Sequence, residues 1–282
     1  MTRPMFSLIV ATIGRTAELA RLLESLDAQL ERSFELVVVD QNEDERVAEL
    51  LAGRTWSFPV VHLRLGVRGA ARARNVGIRA ARGDVIAFPD DDCWYESDTL
   101  ARVRGLLDAQ PGTDVLSGRY VDGDGRGEPK WPPRAARVDR YNLWRCTIMI
   151  GLFVRRAVLD AVPGFDESLG VGAGTPFGSG EESDFLLRVL GAGLRIDYEP
   201  SLVLRHPLKD GIYDEAATRR AHAYAIGTGR VLRVHRYPLW FIAGASAYPA
   251  LGAALGLVRG RPDVARLRWS IAAGRLAGWL AR

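Results

Sequence analysis

The chain has 282 residues, 48% of them hydrophobic, with 38 Lys+Arg against 34 Asp+Glu. That balance predicts a packed core, and the length suits one α/β domain with an appendage. Two cysteines, Cys93 and Cys146, are too few for a disulfide framework and wrongly spaced for zinc, which points to a reducing, cytoplasmic setting. The charge is unevenly spread: residues 201–282 carry 13 basic and 4 acidic residues, a balance of +9, which leaves −5 for residues 1–200.

The opening stretch MTRPMFSLIVATIGR has a single early block of apolar residues, shorter than a signal peptide's core and with no small-residue cleavage site behind it. It reads as a first strand. Thr16 to Gln29 then carries Leu19, Leu22, Leu23 and Leu26 at helical spacing. FELVVVD is a second strand ending at Asp40, VVHLRL a third and DVIAFPD a fourth, with helices over Ala70 to Ala81 and Ser97 to Gln110. Strands that are apolar throughout and alternate with helices predict a mostly parallel, Rossmann-like sheet covered on both faces. Ligands of such sheets bind outside the carboxyl ends of the strands. Thr12, Asp40 and the triplet Asp90, Asp91 and Asp92 follow three of those ends and are expected to share one crevice.

Beyond residue 111 the alternation loosens. DGDGRGEPKWPPR is turn chemistry; Asp122, Asp124 and Glu128 resemble a calcium loop at a glance, but the ligand pattern is incomplete and a hairpin turn is the better reading. TIMIGLFV predicts another strand, Gly164 to Gly180 a glycine-rich mobile loop, and a helix starts near Glu181 with Phe185, Leu186, Val189 and Leu190 on its apolar face. RIDYEPSLVLRHP follows as an edge strand or two ending at His206.

Three successive carboxylates at a strand end repel one another and raise each other's pKa unless a cation sits among them. A hard divalent ion with oxygen ligands, Mg²⁺ or Mn²⁺, bridging the phosphates of a nucleotide answers that problem. A solvated acidic loop before the helix near Ser97 is the plainer alternative.

In SLIVATIGR, ELVVVDQNEDE, GAARARNVGIRAARGDVIAFPDDDCWYESDTL, GFDESLG and GSGEESDFLLRVLGAG the chain resembles the family 2 glycosyltransferases, inverting enzymes with the GT-A fold, over about residues 5–206. The resemblance implies a nucleotide-sugar donor, with Thr12 and Asp40 meeting the base and Arg74 near the base or diphosphate. Asp90 and Asp92 match the outer positions of the family's D-x-D, Asp92 as metal ligand and Asp90 as ribose or second metal partner, with Asp91 able to substitute for either. Glu182 matches the acid that deprotonates the acceptor hydroxyl, and the adjacent Glu181 is the alternative. Glu182 stands where the family more often has Asp, and acids opening a helix also complement its dipole. His206 matches a histidine that some members place near the metal or diphosphate; a structural role is the other reading.

From Pro238 to Val258 runs an uncharged stretch, PLWFIAGASAYPALGAALGLV, flanked by arginines and long enough to span a bilayer, though its two prolines suit a re-entrant or surface-lying segment as well. Arg261, Arg268, Arg275 and Arg282 recur every seventh residue, beside a face with Trp269, Ala273, Leu276 and Leu280. That pattern suits a helix lying on anionic lipid, or an ordinary amphipathic helix packed on its own protein.

The expectation is a catalytic domain over 1–210 and a helical, membrane-associating extension over 211–282. It would be a metal-dependent hexosyltransferase at the cytoplasmic face of the plasma membrane, transferring sugar to a glycan or lipid-linked acceptor in surface polysaccharide or glycolipid synthesis. A catalytically degenerate nucleotide-sugar-binding scaffold is the alternative. A D-x-D phosphatase would need Thr or Val where Trp94 stands. Nucleic-acid binding lacks the fold context and stacking aromatics.

Overall fold

The computed structural model describes residues 3–208, 211 and 213–281. They divide into two compact units, one of Met1–Arg68, Ala73–Gly164 and Phe185–Leu208, the other of Gly69–Arg72, Phe165–Asp184 and Lys209–Arg282.

The first unit holds a sheet of eight strands: β1 (Phe6–Thr12), β2 (Phe34–Asp40), β3 (Val60–Arg64), β4 (Val85–Ala87), β5 (Val115–Val121), β6 (Ala136–Arg137), β7 (Leu152–Arg155) and β8 (Ile196–Arg205), in the order β3-β2-β1-β4-β7-β5-β8-β6. β3, β2, β1 and β4 are parallel, β7 is antiparallel to both β4 and β5, β5 and β8 are parallel, and β6 runs antiparallel to β8. Every residue of β2 is buried, so both faces of the sheet are covered, as the unbroken apolar runs require. The helices are α1 (Ala17–Asp27), α2 (Arg46–Ala52), α3 (Ala70–Ala80), α4 (Thr99–Ala109), the short α5 (Leu143–Cys146) and α6 (Val158–Ala161), and α7 (Glu181–Gly191). Both α3 and α7 start in residues of the second unit and run on into the first. Leu19, Leu22, Leu23 and Leu26 form the buried face of α1, as their spacing predicts.

The strand order steps outward from β1 to β2 and β3, then returns to β1's other side for β4. That reversal opens a crevice at the carboxyl ends of β1 and β4. Gly77 lets α3 lie against β1 there, since a Cβ at that position would stand 2.2 Å from Ile9 Cγ2.

Two expectations change. Of TIMIGLFV only β7 is strand; Met149–Gly151 forms a 3-10 turn, with Gly151 so close to Gly118 that a Cβ would meet the Gly118 carbonyl at 2.9 Å. RIDYEPSLVLRHP holds a single strand, but that strand lies inside the sheet rather than at its edge, with the two-residue β6 outside it. Its register against β5 shifts between Ser117 and Arg119, and this irregularity accommodates Pro200, whose carbonyl accepts from Arg119 Nε at 2.7 Å. The hairpin turn expected at DGDGRGE is present: Asp122 organises it, accepting from the Asp124 and Arg126 N–H groups at 2.9 Å beneath the antiparallel bridge Val121–Gly127.

In the second unit the glycine-rich segment is internally hydrogen-bonded: Gly170 N–H donates to Phe177 O at 2.9 Å and Thr175 Oγ1 to Ser168 O at 2.6 Å, while Gly170, Gly172, Gly174 and Gly180 take positive φ. Three long helices follow, α8 (Glu215–Val234), α9 (Leu239–Val258) and α10 (Pro262–Leu280). α8 and α10 touch backbone to backbone through glycines, because a Cβ on Gly229 would lie 2.1 Å from Arg275 O and one on Gly278 1.9 Å from Ile226 O. The seven-residue arginine repeat is not the exposed stripe its spacing predicts. Arg275 is largely buried and donates to Ala245 O on α9, and burial lowers its pKa from the ordinary value; Arg268 lies across α9 at Gly252. Small residues on α9 leave the room. Arg282 lies outside the described residues. The Trp/Leu face is the exposed one, with Trp269 at 62% and Leu280 at 67%.

Glu35 anchors the other end of the sheet. It is fully buried, accepting from Ser7 Oγ and Arg82 N at 2.7 Å through one oxygen and from Arg82 Nε and Nη2 at 2.9 and 2.6 Å through the other. Burial works against its charge, but the Ser7 and Arg82 donors hold its pKa below the ordinary 4.5. Glu35→Gln is therefore expected to cost about 2–3 kcal/mol in urea unfolding at about pH 7. A depressed carboxylate stabilises above its unfolded pKa and ceases to as pH falls through the lower folded value, so the deficit should shrink in the same titration below 4.5.

Candidate active site

β4 ends at Ala87, and Phe88 and Pro89 are still buried when the chain turns through Asp90, Asp91 and Asp92. A bridge then fixes the loop. Trp94 N–H donates to Arg205 O at 3.0 Å and Arg205 N–H to Trp94 O at 3.1 Å, tying the acidic loop to the end of β8. The next residue of that strand is His206, whose N–H donates to Val121 O at 3.0 Å and whose ring meets Tyr120 edge-on at 5.3 Å. The imidazole is thereby delivered to the acids, Nε2 lying 3.2 Å from Asp92 Oδ1, and Asp90, Asp92 and His206 offer ligand atoms within 4.8 Å of one another.

Two carboxylates and one imidazole nitrogen form a donor set suited to Mn²⁺ or Mg²⁺. Donors on opposite sides of such an ion are separated by about 4.2 Å, so small side-chain rotations would close this group on a cation. The residues fit the expected metal. Among the described residues His206 Nδ1 is buried with no hydrogen-bond partner.

Asp91 belongs to a different network. It is 6% exposed, accepts from Thr12 Oγ1 at 2.8 Å and pairs with Arg15 Nη1 at 2.7 Å. Burial pushes its pKa up, with Thr12 and Arg15 opposing and the Asp92 charge adding to the rise. Arg15 also reaches Asp92 Oδ2 at 2.8 Å, so one guanidinium bridges two acids; burial disfavours its charge, yet both carboxylates together raise its pKa. Arg74 of α3, buried, pairs with Asp90 Oδ1 at 3.0 Å. Arg21 of α1 stacks on Trp94 at 3.8 Å and donates to the Asp92 carbonyl at 3.1 Å. Cys93, fully buried among the acids, has its thiol pKa pushed well up by burial and then by Asp90 and Asp92, which removes it as a nucleophile.

Asp40 lies opposite Thr12 in the register of β1 and β2. It is fully buried; Oδ1 accepts from the Asn42 backbone N–H at 2.9 Å and Nδ2 at 2.7 Å, and Oδ2 lies 3.1 Å from His62 Nε2. It is not a helix cap, since α2 begins at Arg46 behind Glu45. Thr12, Asp40, Arg74 and the acid triplet thus line neighbouring carboxyl ends of β1, β2 and β4 in the first unit.

Glu181 and Glu182 open α7 in the second unit. The Glu181 carboxyl lies against Gly170, where a Cβ would stand 2.9 Å from its Cδ. In the same turn Asp184 pairs with His235 Nε2 at 2.8 Å.

Arg15, His62 and Asn42 escaped the sequence reading. Arg15 has a signal, a lone cation in the loop after β1; His62 sits in an apolar run and gains its role only through the register that sets it beside β2.

The family described as "Glycosyl transferase family 2" matches residues 7–164. The chain is 36% identical over 113 residues to a Haemophilus influenzae glycosyltransferase, covering 40% of this chain and 37% of that protein. It is 34% identical over 125 residues to a Mycobacterium tuberculosis "PGL/p-HBAD biosynthesis glycosyltransferase", 43% of this chain and 48% of the relative. It therefore matches less than half the length of these relatives. Among solved structures it resembles a mannosyltransferase from Pyrobaculum calidifontis in complex with GDP-Man and Mn2+, with TM-score 0.67, 19% identity and coverage of 99% of this chain and 88% of that one. It also resembles S. aureus TarS in complex with UDP-GlcNAc, with TM-score 0.61, 20% identity and coverage of 96% and 89%. These likenesses bear out the expected GT-A fold. With the family match covering more than half of its residues, the chain belongs to glycosyl transferase family 2.

Proposed function

We propose that the chain transfers a sugar from a nucleotide-sugar to a glycan or lipid-linked acceptor, with inversion at the anomeric carbon and with help from Mg²⁺ or Mn²⁺. The observation that carries this reading is the grouping of Asp90, Asp92 and His206 at the ends of β4 and β8. Family membership and the nucleotide-sugar complexes of fold neighbours support it.

On this reading Asp40, held rigid by Asn42 and His62, accepts a hydrogen bond from the base, and Thr12 shares that wall. Arg74 and Arg15 balance the acid cluster before the donor arrives and offer cationic groups to the diphosphate. A divalent ion held by Asp90, Asp92 and His206 would supply positive charge toward the leaving diphosphate. Glu182, or its neighbour Glu181, takes the proton of the acceptor hydroxyl. A single displacement then inverts the configuration. The helices of 211–282 are assigned to the membrane surface: α9 has the length and composition to cross a bilayer, with a mean hydropathy of 1.6. The exposed apolar residues of α9 and α10 favour a surface-lying arrangement over a span.

Asp92→Asn should lower transfer by about 100-fold or more and abolish the Mn²⁺-dependent rise in melting temperature with donor. A thermal-shift screen of UDP-, GDP- and dTDP-sugars identifies the donor first, and retained full activity in Asp92→Asn would overturn the metal assignment. Glu182→Gln should keep donor binding while kcat falls about 10²–10⁴-fold. Glu181→Gln, measured in parallel, tells which acid is the base, and unchanged kcat in both rejects the mechanism. Arg15→Gln leaves two acids unbridged. It should cost about 1 kcal/mol in metal-free urea unfolding, and the loss should narrow when MnCl₂ is added.

A further inference from the structure

A cavity of about 470 Å³ opens along α9 and α10 in the second unit. Its walls include Tyr248, Leu251 and Leu255 of α9 together with Arg259, Arg261 and Arg268. Among the described residues no carboxylate lines it, and none of the three arginines is paired with one. Asp263 is the one acid between 239 and 281, and it is not in the lining.

The arrangement is built rather than incidental. Gly252 gives Arg268 its path, since a Cβ there would stand 2.7 Å from the arginine's Cδ and 2.9 Å from Nη1. At Gly256 the backbones close up, a Cβ lying 3.1 Å from Ala265 N, and the Arg261 N–H donates to Gly256 O at 2.8 Å. Arg261 also stacks on Tyr213, 5.3 Å from the ring centre. Three cations are thus gathered around one opening at the α9–α10 turn, where Gly260 takes φ +67.

The same opening borders an apolar stripe. Trp240, Leu251, Leu255 and Val258 are 64, 71, 47 and 85% exposed, and at helical spacing they fall within about 60° of one another around α9. A water-soluble anion would need the arginines but not this stripe. An acidic lipid uses both, its phosphate among the guanidinium groups and its chains along the apolar residues.

We propose that the α9–α10 cavity binds the phosphate-bearing headgroup of an anionic membrane lipid through Arg259, Arg261 and Arg268. This deepens the membrane-surface part of the functional reading and rests on it, while remaining independent of the donor site.

The test is co-sedimentation of the full chain with phosphatidylcholine vesicles, with and without phosphatidylglycerol. The triple variant R259Q/R261Q/R268Q is compared with R54Q/R79Q/R126Q, which removes the same charge from the first unit. The wild type and the second variant should bind the anionic vesicles, and the first should lose about a hundredfold in affinity, the attraction expected of three arginines at such a surface. Equal loss in both variants, undiminished binding in the first, equal wild-type binding to neutral vesicles, or release by millimolar inorganic phosphate would each overturn the proposal. Arg259→Glu, at an exposed position, gives a single-site check with the same expected direction should the triple variant fold poorly. Donor-induced thermal shifts on the same proteins separate this result from the glycosyltransferase reading: a variant that loses vesicles but keeps its donor shift speaks to the lipid site alone.

Discussion

Three adjacent carboxylates at the end of β4 set the terms for the whole first unit. Two such charges about 4 Å apart repel by about 1 kcal/mol in water and by about 4 kcal/mol in the less polar surroundings of a protein. The fold meets this cost locally. Thr12 and Arg15 from the end of β1 hold Asp91, Arg15 continues to Asp92, Arg74 from α3 takes Asp90, and β8 delivers His206 to Asp92. Three separate stretches of chain therefore converge on one turn. Each side chain reaches it because the sheet order places β1 beside β4 and because the Trp94–Arg205 bridge draws in the end of β8.

Compensation by arginine rather than by burial alone has a chemical consequence. A guanidinium paired to a carboxylate at an open strand end is a cation that can be re-partnered: on the proposed function a divalent ion would take its place beside the acids and an incoming diphosphate would take the freed arginine. Arg15 has 40% of its side chain exposed, whereas Arg74 is nearly enclosed, so Arg15 is the more readily exchanged partner. Asp91 is held in the Thr12 network, outside the Asp90–Asp92–His206 group.

Much of this was legible in the sequence, and what was not has a common cause. Unbroken apolar runs reveal buried parallel strands, and their last residues reveal the crevice, so Thr12, Asp40 and the acid triplet could be placed before any coordinates. TIMIGLFV and RIDYEPSLVLRHP resisted because contacts at Gly118, Gly151 and Pro200 decide where the strand begins and where it bulges, and such contacts lie between segments distant in the chain. His62 was invisible for the same reason. Its neighbour Asp40 is set by register rather than by spacing.

The tail shows how a correct period can mislead about direction. Arginines seven apart do share a side of α10, but periodicity cannot say whether that side meets solvent or another helix. Gly252 and Ala245 decide it, since small residues on α9 admit long side chains and Arg268 and Arg275 fill the space. An arginine stem covers apolar surface as well as leucine does, provided its head finds a carbonyl or an opening. Arg275 finds the Ala245 carbonyl, Arg268 reaches the cavity, and the leucines and tryptophans that would ordinarily have packed inward are left outside. Inverted in this way, the hairpin offers an apolar exterior with a cationic mouth, an arrangement better matched to a charged lipid interface than to bulk water.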